Sequence, residues 1–150
     1  MDIHGICPLL QVFDMPTAIR FYRDVLGFQI FQTSQPGDDC NWAWLKLNGA
    51  DLMLNTAYEK DQRPGAADPA RVVAHDDTCL YFGCKDLAAA YQHLLAHGVN
   101  LKPPNVAPYG MKQLYFHDPD GFSLCLQWPV SQETSNRWAE DYVQKQKTTV

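Results

Sequence analysis

Cysteine and histidine are the side chains of this chain with the most chemistry open to them, and there are five of each. Cys7, Cys40, Cys79, Cys84 and Cys125 form no C-x-x-C pair. Their odd number argues against both a secreted disulfide framework and a zinc ribbon, so free thiols are the expectation. Among the histidines, His93 and His97 stand i, i+4 on a predicted helix and could chelate an ion. No glutamate follows in an H-E-x-x-H arrangement, and that flank reads as solvated. His117 adjoins a turn and is a candidate acid or base whose face the alternation leaves open; His4 and His75 have no such context. Ser-His-Asp order, a P-loop and a G-x-G-x-x-G run are all missing, which leaves nucleophilic hydrolysis and nucleotide binding without support.

The bulk composition narrows the class further. A chain of 150 residues with 46% hydrophobic and 19% charged residues can bury an ordinary core, and its length is that of a single domain, residues 1–150. The net charge of −5 is scattered, with no basic stripe, so nucleic acid is not an expected partner. No run of roughly 18 apolar residues could span a bilayer, and Met1-Asp2-Ile3-His4 has neither the basic nor the apolar region of an export signal. A cytoplasmic protein without membrane contact is expected.

The elements that position these side chains come in two similar sets. Asp118-Pro119-Asp120-Gly121 is a tight turn, with Gly121 free to take positive φ, and it feeds a strand in which Phe122, Leu124 and Leu126 face one way and Ser123, Cys125 and Gln127 the other. Seventy-two positions earlier stands Gly49-Ala50-Asp51-Leu52-Met53-Leu54-Asn55, so Met53 falls opposite Cys125 and Asn55 opposite Gln127. The same offset matches Cys7 with Cys79, Val12 with Cys84 and Asp14 with Asp86.

Read in order, residues 6–13 form a strand, Asp14 caps a helix from about Met15 to Leu26, and Gly27 ends it. Strands follow at 28–33, 42–47 and 51–55, the last two joined through Asn48-Gly49. Residues 59–75 carry charge, proline, glycine and alanine without an apolar period, the mark of a mobile connection or a functional flap. The order then restarts with a strand at 78–84, a helix from Leu87 to His97 with Leu87, Tyr91, Leu94 and Leu95 on its apolar face, a short strand at 99–101, a strand at 111–116, and the last strand after the turn. Module one spans about 5–59, a linker 60–75, module two about 76–129 and a polar tail 130–150. In that tail Trp138 and Tyr142 at i, i+4 suggest a helix that packs on this chain or on a partner. Two βαβββ modules imply an α+β fold with two four-stranded sheets, each covered on one face by its helix.

On these residues the chain resembles the vicinal oxygen chelate superfamily, also known as the glyoxalase, bleomycin resistance and extradiol dioxygenase superfamily. The likeness lies in Val12-Phe13-Asp14-Met15 with Phe21-Tyr22-Arg23-Asp24-Val25-Leu26-Gly27-Phe28, in the second half around Asp86 and Gly98, and in Asp118-Pro119-Asp120-Gly121. The resemblance implies a half-open, barrel-like cup and a homodimer. It leaves the reaction open, since such proteins include lyases, isomerases, epimerases, dioxygenases, thiol transferases and drug binders. In metal-using members four His or Glu side chains hold a divalent ion, and the matching positions here carry Cys7, Met53, Cys79 and Cys125. Sulfur suits neither a hard nor a borderline ion that activates oxygen, so no metal or other cofactor is expected. The alternative is a soft-metal thiolate site.

Alternation then places Gln11 and Phe13 on the face of Cys7, Tyr81 on that of Cys79, and Asn55 and Gln127 on those of Met53 and Cys125. With Tyr109 and Lys112 on a predicted rim loop, these are the candidate ligand-binding residues. They suit an uncharged or zwitterionic small organic molecule. Trp42 and Trp44 share a face that the sequence assigns to neither side; core packing is the base-rate expectation, while in the cup they would stack on a planar ligand. The expected function is therefore metal-independent binding of a small molecule, as in antibiotic resistance by sequestration. A metal-dependent lyase, isomerase or dioxygenase is the alternative, and a protein-contact role a weaker third.

Overall fold

Each half of the repeat builds a helix and four strands. The computed structural model describes residues 1–59 and 61–131. Its elements are β1 (Leu9–Val12), α1 (Met15–Arg20), β2 (Gln29–Thr33), β3 (Trp42–Leu47), β4 (Ala50–Thr56), α2 (Pro69–Ala74), β5 (Cys79–Gly83), α3 (Leu87–Ala96), β6 (Asn105–Val106), β7 (Met111–His117) and β8 (Ser123–Pro129). One sheet has the order β1-β4-β3-β2 and the other β5-β8-β7-β6, the same pattern twice. The described residues divide into two units, Met1–Thr78 with His117–Ser123, and Cys79–Phe116 with the described residues from Leu124 to Ser131. The Asp118 turn thus belongs to the first unit although it lies between two strands of the second sheet. Trp138 and Tyr142 fall outside the described residues.

In the first unit the Asn48-Gly49 turn takes positive φ at both residues, 47° and 88°. It seats Leu47 opposite Ala50 and, counting back, Leu45 opposite Leu52 and Ala43 opposite Leu54. Ala43, Leu45, Leu52 and Leu54, with Leu10 and Val12 of β1, form the buried face, and Ala18 and Ile19 of α1 are buried in turn. Asp14 caps α1 by accepting the Thr17 N–H at 3.0 Å, with Pro16 in the first turn where no donor is needed.

The helix expected to run unbroken to Leu26 widens into a π-helical turn over Phe21–Val25, where the Leu26 N–H reaches back to the Phe21 carbonyl. Tyr22 sits in this turn, fully buried, and its hydroxyl donates to Asp118 Oδ2 at 2.8 Å. Tyr22→Phe leaves that carboxylate oxygen without its buried donor and is expected to cost about 1–2 kcal/mol. The check is a shift of the denaturant midpoint at unchanged slope; an unmoved midpoint would mean that water replaces the hydroxyl.

In the second unit Asp86 caps α3 through the Ala89 N–H at 2.9 Å, and Leu87 and Leu94 are buried with Leu114, Phe116 and Leu124. Leu95, placed on the apolar face from sequence, is exposed. Two segments depart from expectation. The stretch read as a structureless connection contains α2, started by Asp68 capping Ala70 N–H with Pro69 behind it, and then a 3-10 turn at His75–Asp77. Six helical residues are too few to show a period. Residues 99–101 form no strand, because the Gly98 and Val99 N–H groups close the end of α3 on the Leu95 and Leu94 carbonyls. Pro103 and Pro104 supply no donors, and pairing resumes with Asn105 opposite Gln113 and Val106 opposite Lys112.

Candidate functional site

Each sheet leaves one face uncovered by its helix, and the candidate residues divide between these two faces. On the first sheet the register is fixed residue by residue. Met53 lies between Leu9 and Trp44, Asn55 between Gln11 and Trp42, and Asp51 opposite Lys46. All of these point away from buried Leu10, Leu45 and Leu54. Trp42 and Trp44 therefore do not join the helix-side core, the base-rate expectation; they stand half-exposed on the open face.

Trp44 is held in place on several sides. Its indole Nε1–H donates to Asp51 Oδ1 at 2.7 Å, and Lys46 Nζ reaches the same oxygen at 3.5 Å. The ammonium also lies 4.2 Å from the Phe31 ring centroid and 4.5 Å from that of Trp44. A shift of register in β2 between Ile30 and Gln32 leaves Phe31 free of a ladder partner. Its ring packs edge-on to Trp44 at 4.8 Å while remaining 58% exposed. Beside this aromatic pair is an amide pair, Asn55 Nδ2–H donating to Gln11 Oε1 at 3.3 Å. Phe13, expected with Gln11, lies beyond β1 instead, its ring edge-on to Tyr58 and under the Arg63 guanidinium.

The second unit repeats the combination with different residues. On β7, Leu114 and Phe116 are buried toward the helix side, while Gln113 and Tyr115 take the other face. Tyr109 O–H donates to Gln113 Oε1 at 3.1 Å, and Gln113 Nε2–H donates to Gln127 Oε1 at 3.1 Å. The hydroxyls of Tyr81 and Tyr115 are 2.9 Å apart, with the rings edge-to-face. The Tyr81 bond, then burial, raises the Tyr115 phenol above its ordinary range. The structure thus brings Tyr109 and Gln127 together through Gln113, which sequence reasoning missed although it alternates with Leu114. Lys112 lies within β7 and not on a rim loop, and alternation turns it away from Gln113. His117 is exposed and pairs with Asp76 at 2.6 Å; His93 and His97 are exposed on α3.

Of the four sulfur positions, Cys79 and Cys125 are near each other in the second unit, whereas in the first Met53 pairs with Leu9 and Cys7 has Asp51 and Lys46 for neighbours. Cys7 is half-buried ahead of β1, and Cys125 is fully buried beside Tyr115. Burial raises both thiols above their usual value, and for Cys7 the Asp51 charge adds to the effect. Among the described residues no three His, Cys, Asp or Glu side chains gather in a way that holds a metal ion.

A sequence profile described as Glyoxalase/Bleomycin resistance protein/Dioxygenase superfamily matches residues 5–126. The chain belongs to this superfamily. A curated Arabidopsis thaliana protein named Glyoxylase I 4 is 28% identical over 109 residues, which make up 71% of this chain and 60% of the relative. The chain therefore spans about three fifths of that relative's length. Among solved structures, TnmS3, an antibiotic-binding protein from Streptomyces sp. CB03234, is 27% identical with a TM-score of 0.63, covering 87% of this chain and 99% of that one. A glyoxalase/bleomycin resistance protein from the same source is 27% identical with a TM-score of 0.56, covering 81% and 97%. The divalent ion used by metal-dependent members of the superfamily does not fit the thiols and thioether here, which lack its oxygen and imidazole donors. No described helix is long and apolar enough to cross a membrane.

Proposed function

We propose that this superfamily member binds a small, planar organic molecule on an open sheet face, by stacking and neutral hydrogen bonding, without the divalent ion. The observation that carries the proposal is that each unit sets an aromatic pair, exposed except for half-exposed Trp44, beside an amide pair on the sheet face away from its helix: Phe31–Trp44 with Gln11–Asn55, and Tyr81–Tyr115 with Gln127 and the buried Gln113. Aromatic surface left in water offers area for a flat ligand, and the amides supply orientation without demanding charge. That TnmS3 binds an antibiotic accords with this reading and makes antibiotic sequestration the favoured role. The second reading is a metal-dependent lyase, isomerase or dioxygenase, and the Arabidopsis relative's name, Glyoxylase I 4, accords with an enzyme of the glyoxalase kind.

A thermal-shift screen of planar aromatic antibiotics and small oxo-acids, run with and without chelator, separates the two, because a ligand bound only to the native state raises its midpoint. The expected result is a stabilising aromatic compound whose effect survives chelator. Its affinity should fall about tenfold in Trp44→Ala, the magnitude of one lost aromatic contact. Stabilisation or turnover that appears only with added nickel, cobalt or iron would establish the second reading instead.

A further inference from the structure

The first unit also contains a cavity of about 520 Å³ that shares no residue with the open face. Phe13, Pro64, Ala67 and Pro119 give its walls apolar surface, with Gly65 beside them. The volume is within the usual range for small-molecule sites, roughly 300–1,000 Å³.

The charged side chains lining it differ in what they have left to offer. Both Asp14 oxygens are engaged, Oδ2 by the Thr17 N–H and hydroxyl and Oδ1 by Arg63, so this pair is internally neutralised. Asp120 is different. Only 6% of it is exposed, and its Oδ1 accepts the Phe13 N–H at 2.6 Å. No described residue donates to its second oxygen. Since no fully buried side-chain oxygen of the described residues lacks a partner, that oxygen keeps accessible surface, and Asp120 lines the cavity.

We infer that this cavity is a second ligand site, taking a small organic cation whose ammonium group donates to the free oxygen of Asp120 while its apolar body lies against Phe13, Pro64 and Pro119. The choice of a cation comes from the unpartnered Asp120 oxygen itself. Of the other charges, Asp118 on the same turn favours a cation, Arg71 on α2 and His75, whose Nδ1 faces the Asp120 carbonyl at 2.7 Å, act in the opposite sense, and Asp14 and Arg63 cancel. Burial raises the Asp120 carboxyl to about 6, so a proton competes with the cation below neutral pH.

The test is an NMR titration of the full chain with benzylammonium, and with benzyl alcohol and benzoate as its neutral and anionic counterparts. Benzylammonium is expected to shift the Phe13, Gly65 and Asp120 amides at pH 7 with a dissociation constant of about 1 mM or tighter. Binding should weaken about tenfold at pH 5, as protonation of a group titrating near 6 requires. Benzyl alcohol should bind at least about tenfold more weakly and benzoate not at all. Asp120→Asn keeps an acceptor for the Phe13 N–H but removes the charge, and should lose at least about tenfold in affinity. Ala67→Phe fills the cavity from its rim and should abolish binding, while Trp44→Ala should leave it unchanged. Equal binding of the alcohol, undiminished binding to Asp120→Asn or Ala67→Phe, or no shift of these amides would each overturn the inference.

Discussion

Gly121→Ala lowers stability by about 2–5 kcal/mol, whereas Gly49→Ala, at nearly the same backbone angle, costs about 1–2 kcal/mol. Both glycines have strongly positive φ, 89° and 88°, a region that costs an L-residue roughly 1–2 kcal/mol. The difference is in what a methyl group would meet. At Gly49 there is nothing within 4 Å, but at Gly121 an added Cβ would lie 2.5 Å from the Val72 carbonyl oxygen and 2.9 Å from Val72 Cγ1. The oxygen belongs to the backbone of α2 and can move only if the helix does, which adds an overpacking cost of about 1–3 kcal/mol.

For a chain of this length the loss at Gly121 corresponds to a drop of roughly 10 °C in Tm, measurable by calorimetry. The companion variant Val72→Ala removes the Cγ1 contact and leaves the carbonyl. Rescue of Gly121→Ala by Val72→Ala would therefore show that the side chain, not α2 backbone, is the obstacle, and equal losses at Gly49 and Gly121 would show that only φ matters.

This close approach illustrates how far the chain could be read without coordinates. That Gly121 must take positive φ was legible from Asp118-Pro119-Asp120-Gly121 alone; that α2 would pass against it was not, since Pro69–Ala74 is too short to announce itself by periodicity. The duplicated strand order and both helix caps were written plainly in the alternation and in Asp14 and Asp86. The face of Trp44 was also within reach. A two-residue turn at Asn48-Gly49 sets Leu47 against Ala50, and three steps back set Trp44 against Met53 on the uncovered side. Phe31 could not be placed in this way, because the register shift in β2 breaks the count that would place it. Phe13 followed the parity of β1 on paper, but the strand ends at Val12, and beyond that residue alternation no longer governs where a side chain points. Arg63 and the cavity it helps to line depend on tertiary packing of a segment with no pattern of its own.

Asp120→Asn is expected to raise stability at pH 7 by about 2–3 kcal/mol and to leave it nearly unchanged at pH 4. Burial raises the Asp120 carboxyl from 3.8 to about 6, against the opposing pull of the Phe13 N–H, and the negative charge of Asp118 adds to the rise. An acid raised in the folded state holds its proton there after the unfolded chain has released it. Between about pH 4 and 6 the native state therefore binds more protons, and this group's contribution to stability falls as pH rises, being lowest above 6. A shift of about two pH units is worth about 3 kcal/mol at 1.36 kcal/mol each. Asparagine has the same shape, still accepts from Phe13 and does not titrate, so the wild-type and variant curves should coincide in acid and separate toward neutrality. Their difference is the quantity to measure, by urea unfolding at stepped pH, because other groups move the absolute curve: Asp118, itself raised by burial, adds a slope of the same sign, and Asp14, held below its usual range by Thr17 and Arg63, adds one of the opposite sign. Curves that stay parallel from pH 4 to 7 would mean that Asp120 is ionised in the folded state as readily as in the unfolded chain. Curves that separate as expected would mean that the fold carries an ionised carboxylate at neutral pH at its own expense, and a cation seated in the cavity would recover that energy on binding.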